Sequence, residues 1–197
     1  MLVLASASPR RHELLTQAGY TFRVHPAHIS EDLIAGEDPI AYVTRLAREK
    51  AQAVYELISG AEPEVMVLGA DTTVTLDNHI LGKPEDAADA ARMLRLLSGR
   101  THRVITGVSL ISAAGVQTAA EVTAVQFHSL SEAEIQAYIA VGEPMDKAGA
   151  YAIQGFAARW IPRIEGCYFN VVGLPIALVS TLLEGARLVE TGLESPT

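Results

Sequence analysis

Leu-Val-Leu-Ala-Ser-Ala-Ser-Pro-Arg-Arg occupies residues 2–11 and decides how the chain begins to fold. Its apolar start predicts a short buried strand. Pro9 then predicts the first position of a helix, where its missing N–H has no helical partner, and Ser8 stands where an N-cap belongs. Arg10 and Arg11 fall in the first helical turn, where positive charge is unfavourable unless an anion lies against it. The stretch therefore predicts either a phosphate site or an ordinary capped helix with solvated arginines.

Lysine is rare in this chain, and its positions favour the phosphate interpretation. Of the 15 basic residues, three are lysines. Lys83 and Lys147 stand in turns marked by glycine or proline, where a compact ammonium suits a ligand better than the planar fork of arginine. Lys50 ends the polar face of a predicted helix, and this argument supports it least. The alternative is a coding bias that leaves three lysines by chance.

Composition limits the classes of protein to which the chain can belong. Its 197 residues suffice for one domain, or two small lobes, with a substantial core. A net charge of −8 disfavours non-specific binding to nucleic acid or to an anionic membrane. The one cysteine, Cys167, excludes an internal disulfide and is typical of a reducing cytoplasm. No segment reaches the ~18–20 apolar residues of a membrane span, and we expect the apolar start to be too short for a secretion signal.

Strand patterns alternate with helix patterns along the chain, which predicts the α/β class without repeats or a linker between independent domains. Ser131 and Glu134 form the spacing of a capping box before one of the helices. The predicted elements are helices at about 9–19, 39–58, 87–97, 132–141 and 175–186; strands at 2–4, 22–24, 65–68, 102–112 and 116–127; a polar loop at 26–37; hairpins near 77–78 and 165–166; and a disordered polar tail at 189–197.

A carboxylate follows the apolar strand pattern at 65–68. Asp71 stands just beyond the predicted end of this strand, which is the edge where ligands bind in α/β sheets. It could ligate a divalent cation or activate water, and Thr72 could hydrogen-bond a ligand; the alternative is a turn aspartate that caps its own backbone. Glu31 and Asp32 lie in the polar loop, and they matter only if the fold brings one of them to Asp71. Such a pair would suffice for Mg²⁺, which prefers one or two carboxylates plus substrate phosphates.

Several familiar sites are missing from the sequence. The six histidines have no zinc-like spacing, and there is no Ser-His-Asp set, Walker loop or G-x-G-x-x-G motif. What remains is a set of arginines, lysines and hydroxyls with one or two acids. This set suits the binding of a polyphosphate with a metal and its attack by water.

With these residues assembled, the chain resembles the Maf family of nucleoside triphosphate pyrophosphatases. The resemblance runs from Leu4 to about Leu183 and rests on seven motifs in order. The motifs are Ala5-Ser6-Ala7-Ser8-Pro9-Arg10-Arg11, Gly69-Ala70-Asp71-Thr72, Gly82-Lys83-Pro84, Gly99-Arg100-Thr101-His102-Arg103-Val104-Ile105-Thr106-Gly107-Val108, Asp146-Lys147-Ala148-Gly149-Ala150-Tyr151, Ile153-Gln154-Gly155 and Val171-Val172-Gly173-Leu174-Pro175.

The resemblance implies a two-lobed mixed α/β fold, similar to that of inosine triphosphatases. One domain over residues 1–197 would contain a central twisted sheet and a nucleotide cleft. The implied activity converts a nucleoside triphosphate to the monophosphate and pyrophosphate, with Mg²⁺ or Mn²⁺ as cofactor. The resemblance also implies a cytoplasmic homodimer. It would bind the triphosphate substrate and would bind neither nucleic acid nor membrane.

The resemblance also assigns roles to individual residues. Asp71 matches the family's catalytic acid, taken as the base that activates water for attack, most simply at the α-phosphorus. Lys50 and Lys83 join it in the catalytic set. Glu31 and Asp71 match the metal site, although the loose match of the loop also allows Asp32 in place of Glu31. The implied substrate-binding residues are Ser8, Arg10, Arg11, Thr72, Lys147 and Gln154.

The segment 147–151, together with Gln154, resembles the branch of the family that prefers dTTP and UTP. In that branch Arg10, Thr72 and Gln154 bear on base choice. An amide such as that of Gln154 offers both a donor and an acceptor, which can pair with a pyrimidine carbonyl and N3–H. Two alternatives stay open at this point: a pyrophosphatase of the 7-methyl-GTP type, and a non-catalytic nucleotide-binding regulator of cell division.

Overall fold

A computed structural model, which describes residues 1–191, confirms the strand, loop and helix expected at the start of the chain. Strand β1 spans Leu2–Leu4 and helix α1 spans Pro9–Gln17. Leu14 and Leu15 are the buried residues of α1. They join the main hydrophobic core, so the loop between β1 and α1 is fixed at both of its ends.

The other elements follow in alternation, which confirms the mixed α/β class. The remaining strands are β2 (Phe22–Val24), β3 (Met66–Leu76), β4 (His79–Leu81), β5 (Thr101–Ser112), β6 (Gly115–Gln126) and β7 (Arg163–Glu165). The remaining helices are α2 (Pro39–Ile58), α3 (Ala87–Leu97), α4 (Glu132–Ala140), α5 (Tyr168–Val172) and α6 (Ile176–Thr191). Short 3₁₀ helices span Glu143–Asp146, Ala148–Ala150 and Phe156–Trp160.

One mixed sheet contains the seven strands of residues 1–191, in the order β2-β1-β3-β5-β6-β7 with β4 paired to β3. β1 runs parallel to both of its neighbours, and the other pairs are antiparallel. β5 occupies one edge of β3 from Val67 to Thr75. On the opposite edge, β1 pairs with Met66–Leu68 and β4 pairs with Val74–Leu76. The β3 edge at 69–73 is therefore left open just past the end of β1.

The position predicted for Asp71 in the sheet was wrong. β3 does not end before this residue, because the β-branched residues Thr72, Thr73, Val74 and Thr75 continue it, and Asp71 pairs in register with Gly107 of β5. The strand that ends here is the neighbouring β1. Asp71 therefore lies beside the carboxyl end of a parallel strand after all, at the open edge of β3.

Helix α2 crosses one face of the sheet at backbone contact distance. A Cβ at Gly69 would collide with the main chain of Ala47, and a Cβ at Gly107 would collide with the main chain of Val43. Both strands therefore need glycine where α2 passes over them. This close packing brings the fourth turn of α2, which carries Lys50, down to the sheet.

Alternation along β3 sends successive side chains to opposite faces. Val67 packs in a small core beneath α2, whereas Leu68 packs in the larger core on the other face. By the same alternation, Asp71 points to the α2 face and Thr72 to the α1 face. The open edge at 69–73 is thus reached by side chains from both layers.

Two predictions about the C-terminal part of the chain need correction. The hairpin near 165–166 was wrong: β7 pairs with Ala124–Gln126 of β6, and the chain then turns at Gly166 into α5. The last helix extends to Thr191, so the first residues of the expected tail are helical, and residues 192–197 lie outside the described residues. None of the described helices is long and apolar enough to cross a membrane.

Candidate active site

A cleft of about 530 Å³ opens at the free edge of β3. One wall consists of the loop from Ala5 to Arg11 together with Lys50 and Asp71, and the other consists of parts of the segment from Asp146 to Gln154. Residues far apart in the sequence therefore face each other across one cavity. All site residues predicted from the sequence line this cleft: Ser8, Arg10, Arg11, Glu31, Lys50, Asp71, Thr72, Lys83, Lys147 and Gln154.

Three charged side chains meet at the floor of the cleft. The Nζ of Lys50 lies 2.6 Å from Oδ1 of Asp71 and 2.6 Å from Oε1 of Glu31. Lys50 and Asp71 are each only 8% exposed, so this pair is almost withdrawn from solvent. Of the two loop acids, Glu31 is the one whose carboxylate shares the Lys50 ammonium with Asp71.

Burial and charge act in opposite directions on the two carboxylates. Burial raises the pKa of Asp71 above its usual value, against the opposing charges of Lys50 and Arg11. Burial also acts to raise the pKa of Glu31, but the hydrogen bond and charge of Lys50, together with the charge of Lys83, outweigh it and lower that pKa. Proton affinity is thus concentrated on the more deeply placed acid, Asp71.

Lys50 is more central than its sequence ranking indicated. The buried positions of α2 are Pro39, Val43, Leu46, Ala47, Lys50, Ala51 and Val54, so Lys50 lies within the apolar face of the helix and does not end its polar face. A lysine within an apolar stripe at 3 and 4 spacing is the signal that could have identified it, since buried lysine is rare unless it is paired.

Arg11 is held by the protein on nearly every donor. Its Nε donates to the carbonyl of Gly173 at 2.8 Å, and its Nη2 donates to Oγ1 of Thr72 at 3.0 Å. Its Nη1 donates to Oγ of Ser6 at 3.1 Å and to the carbonyl of Ala70 at 2.9 Å. The Ala70 carbonyl lies on the open edge of β3, so Arg11 satisfies a group that no neighbouring strand reaches.

The side chains of Ser8 and Arg10 make fewer hydrogen bonds within the protein than that of Arg11. Among the described residues, the Ser8 hydroxyl makes no cap hydrogen bond to α1, although Ser8 occupies the N-cap position. The Nη1 of Arg10 lies 3.4 Å from Oδ2 of Asp146 on the opposite wall. The mouth of the cleft thus presents a hydroxyl, the N-terminus of a helix and a partly exposed guanidinium, as a phosphate site requires.

The opposite wall brings two further lysines to the cleft. Lys147 donates to Oδ1 of Asp146 at 2.6 Å and to the carbonyl of Glu143 at 2.9 Å. Lys83 is exposed in its turn, which is tied to this wall by a 3.0 Å hydrogen bond from the Gly149 amide to the Gly82 carbonyl. Sequence reasoning missed Asp146, whose partner Arg10 is 136 residues away in the chain.

Thr72 and Gln154, two of the three residues expected to bear on base choice, differ in their surroundings. Oγ1 of Thr72 accepts from Arg11 and lies 2.9 Å from Oγ1 of Thr106, so it belongs to a local network. Gln154 is exposed on the cleft wall. Its amide is therefore the more accessible of the two groups to a ligand in the cleft.

Comparison with known proteins was made against family models, curated sequences and solved structures. The family described as Maf, Maf-like protein, matches residues 1–186. A dTTP/UTP pyrophosphatase of Koribacter versatilis is 55% identical over 188 residues, covering 95% of each chain. Enzymes with the same name from Chromobacterium violaceum and Thermococcus onnurineus are each 50% identical, covering 99% and 93% of this chain and 96% and 97% of their own.

Among solved structures, a nucleoside-triphosphatase (dITP/XTP pyrophosphatase) from Mycobacterium abscessus is similar with a TM-score of 0.47 and 14% identity, covering 96% of each chain. The Staphylococcus aureus Ham1 protein is similar with a TM-score of 0.43 and 14% identity, covering 94% of this chain and 98% of its own.

Proposed function

This chain belongs to the Maf-like protein family, and from that premise we propose that it hydrolyses dTTP and UTP to the nucleoside monophosphate and pyrophosphate. Relatives at 50–55% identity over nearly the whole chain carry the name of this activity. The cleft supports the proposal, because it combines a buried acid, a set of cations and the exposed amide of Gln154, which can hydrogen-bond a nucleobase.

The observation that carries the proposal is the convergence of Lys50, Glu31 and Asp71 at the floor of the cleft, with both contacts at 2.6 Å. A buried acid next to a cation, at the end of a cleft with exposed cations, is suited to orienting water beside a bound polyphosphate. A purely structural ion pair would need no exposed hydroxyl, helix N-terminus or further cations around it.

The triphosphate would lie along the charged entrance of the cleft. Ser8 offers its hydroxyl at the start of α1, and Arg10 offers a guanidinium that Asp146 now holds at 3.4 Å. Lys83 and Lys147 approach from the opposite wall. Arg11 contributes its charge from a fixed position, because four hydrogen bonds to the protein hold its side chain.

Glu31 and Asp71 fit a divalent cation. Both carboxylates already converge on a single positive charge, the Lys50 ammonium. Within the described part of the chain, no three His, Cys, Asp or Glu side chains form a metal cage, so substrate phosphates and water would complete the coordination. When bound, such a cation would supply neutralisation of the negative charge that accumulates on the phosphates.

In this reaction the protein has to position water and substrate and to accept a proton. Asp71 orients a water molecule and accepts its proton as the water oxygen attacks the α-phosphorus. The bond between that phosphorus and the oxygen bridging to the β-phosphorus breaks, so the electron pair leaves with pyrophosphate. The raised pKa of Asp71 makes this carboxylate a better proton acceptor than an exposed one. Lys50 holds the Asp71 carboxylate in position.

The base would be selected by the exposed amide of Gln154, which can pair with a pyrimidine carbonyl and N3–H at once. Thr72 and Arg10 would limit the position of the ribose and base. The cleft lining supports this assignment, since all three residues face the same cavity.

The proposal extends to the state of the protein in the cell. We expect a cytoplasmic homodimer that binds no nucleic acid, which agrees with one cysteine and a net charge of −8. Light scattering coupled to gel filtration would measure the mass of the particle, and a single 21.0 kDa species would refute the dimer.

The direct test is release of pyrophosphate from UTP, dTTP, CTP, ATP, GTP and 7-methyl-GTP. Each substrate is assayed with Mg²⁺, with Mn²⁺ and with EDTA, and the monophosphate is quantified as co-product. We expect fast release from UTP and dTTP, abolished by EDTA. Turnover of 7-methyl-GTP in their place would refute the pyrimidine preference and keep the reaction.

A folded protein that hydrolyses none of these nucleotides would contradict the proposed activity. Binding of the same nucleotides without turnover would then favour the regulatory alternative. Near-ultraviolet circular dichroism, which reports on the packed environment of the single tryptophan, Trp160, provides the control for folding.

A further inference from the structure

The backbone on both sides of Gln154 is fixed by two side chains that do not line the cleft, the buried Tyr138 and the half-buried Glu143. The hydroxyl of Tyr138 accepts from the amide of Ala152 at 3.2 Å and donates to Oε1 of Glu143 at 2.9 Å. The other carboxylate oxygen of Glu143 accepts from the amide of Phe156 at 3.2 Å. The chain that carries Gln154 is thus held two residues before it and two residues after it.

Tyr138 is itself rigidly placed. It is fully buried on α4, and its ring packs edge-on against Trp160 at 5.0 Å and stacks on Phe156 at 5.6 Å between centroids. Burial, with the adjacent Glu143 carboxylate, raises the pKa of the Tyr138 phenol, so the hydroxyl stays neutral and remains a donor. A donor locked in this way fixes the carboxylate that it binds.

Gly155 supplies an independent sign that this arrangement is specific. A Cβ at position 155 would occupy the space taken by the carboxylate of Glu143. The φ of Gly155 is −105°, which any residue can adopt, so its backbone conformation does not demand glycine. A side chain at this position would instead displace the Glu143 carboxylate, which lies against the main chain directly beside Gln154.

We propose that Tyr138 and Glu143 are positioning residues for base selection: through the amides of Ala152 and Phe156 they set where the Gln154 amide stands in the cleft. The inference rests on the proposed function in that it takes Gln154 as the group that reads the base. It assigns specificity to residues that lie behind the cleft wall and touch no substrate atom.

The test is the Tyr138→Phe variant, which removes the hydroxyl and keeps the ring. Binding of the non-hydrolysable α,β-imido analogues of UTP and GTP is measured by calorimetry, alongside kcat and KM for UTP and GTP. We expect the preference for the UTP analogue over the GTP analogue to fall roughly 5- to 10-fold, which corresponds to about one lost hydrogen bond. For UTP itself, KM should rise while kcat stays within about twofold.

Tyr20→Phe is the matched control, because the Tyr20 hydroxyl also makes a side-chain hydrogen bond, a half-buried one at 2.6 Å to Oγ of Ser180, away from the cleft. It should lower stability without changing the UTP-to-GTP ratio. If Tyr138→Phe fails to fold, Gly155→Ala and Glu143→Gln perturb the same hydrogen bonds and should lower the same ratio.

The outcomes separate this inference from the proposed function. Unchanged base preference in folded Tyr138→Phe and Gly155→Ala would overturn the inference, and so would equal binding of both analogues by the unmodified protein. Absence of hydrolysis by the unmodified protein would overturn the proposed activity alone, because the binding ratio still tests the positioning role.

Discussion

The two walls of the cleft are built by different chemistry. The charged wall, which comprises residues 5–11, Glu31, Lys50 and Asp71, is held by ion pairs and by the hydrogen bonds of Arg11. The uncharged wall, residues 148–156, carries no charged side chain and is held from behind by the side chains of His102, Tyr138 and Glu143. The charged wall is suited to the reaction, and the uncharged wall is suited to selection among bases.

The difference predicts how each wall responds to a ligand. In the charged wall Lys50 is already paired with Glu31 and Asp71, and Arg11 donates to carbonyl and hydroxyl oxygens, so a polyphosphate and a metal must compete with existing partners. Amides of the uncharged wall are satisfied by side chains behind the cleft, so nothing there needs to change when a base arrives. Changes in the charged wall should therefore alter the rate, and changes in the uncharged wall should alter selectivity or stability.

The largest effect should come from Asp71→Asn, which tests the role of the charged wall in the rate. The amide retains the shape of the carboxylate but accepts no proton from water, so we expect kcat for UTP to fall roughly 10²- to 10⁴-fold with little change in nucleotide binding. The matched control is Asp77→Asn, in a turn whose aspartate pairs with Arg100. An Asp71→Asn enzyme with the unmodified rate would end the proposed role of this residue.

The second-largest effect should come from acidic pH, which should lower the free energy of unfolding through His102, a support of the uncharged wall. His102 is 2% exposed, bonds the Tyr151 hydroxyl at 2.7 Å, and has its pKa lowered to about 3 by burial. Between its ordinary pKa near 6.5 and this value the unfolded chain takes up a proton that the folded chain does not. Stability should therefore fall as pH decreases through this range, by up to about 1.4 kcal/mol per pH unit from this group.

Urea unfolding at pH 7, 5.5 and 4.5 measures this dependence. His102→Gln removes the titrating group, so the gap in unfolding free energy between the variant and the unmodified protein should narrow as pH decreases. The control is His128→Gln, which removes a histidine from an exposed position; an equal effect of both variants would show that burial of His102 is not the cause. Parallel curves for the unmodified protein and His102→Gln would show that this histidine does not limit the acid stability of the wall.

Removal of the base-reading amide itself should have an intermediate effect. Gln154→Ala deletes both the donor and the acceptor, and we expect discrimination between UTP and GTP to fall about tenfold, which is typical of lost hydrogen bonds to a ligand. The measurement is the ratio of kcat/KM for the two nucleotides, with Gln126→Ala, at an exposed position on β6, as control. Undiminished selectivity would remove Gln154 from base selection and weaken the contrast between the walls.

The smallest effect should come from Asp146, whose carboxylate contacts cations on both sides of the cleft. Asp146 is exposed, with 68% of its side chain accessible, yet it pairs with Arg10 at 3.4 Å and with Lys147 at 2.6 Å. Asp146→Asn removes a negative charge that competes with the triphosphate, so KM for UTP should fall about two- to fivefold at low salt, and less at high salt.

Asp89→Asn is the control, because its aspartate makes an ion pair within α3, with Arg92. A rise in KM for Asp146→Asn would instead show that Asp146 positions Arg10 and Lys147 for the substrate. In that event the two walls would be more closely coupled than their chemistry indicates.

Local patterns predicted much of the molecule. Pro9 after two hydroxyls predicted the start of α1, and the apolar spacing after Pro39 predicted α2 to the residue. These features depend on neighbours in the sequence, which act through the backbone alone. The end of β3 was mispredicted because Gly69 and Ala70 interrupt the strand pattern, although β5 continues to pair with the residues beyond them.

Long-range contacts explain the remaining differences between the site expected from the sequence and the site in the structure. Lys50 was ranked low because its place within the apolar stripe of α2 was overlooked, and no local pattern identifies Asp71 as its partner. Asp146 was missed because its partner Arg10 lies in the other wall, and no local pattern links them. The site could be predicted as a set of residue types, but its pairings depend on the tertiary fold.

The glycines beneath α2 have a consequence for how the enzyme tolerates change. At Gly69 and Gly107 the helix rests on the main chain of the sheet, with no side chain between them. The main chain from which Lys50 projects is therefore set against backbone atoms, which do not switch rotamers as temperature rises. Methyl groups elsewhere in the core can be gained or lost while the Cα of Lys50 keeps its height above the strand that carries Asp71.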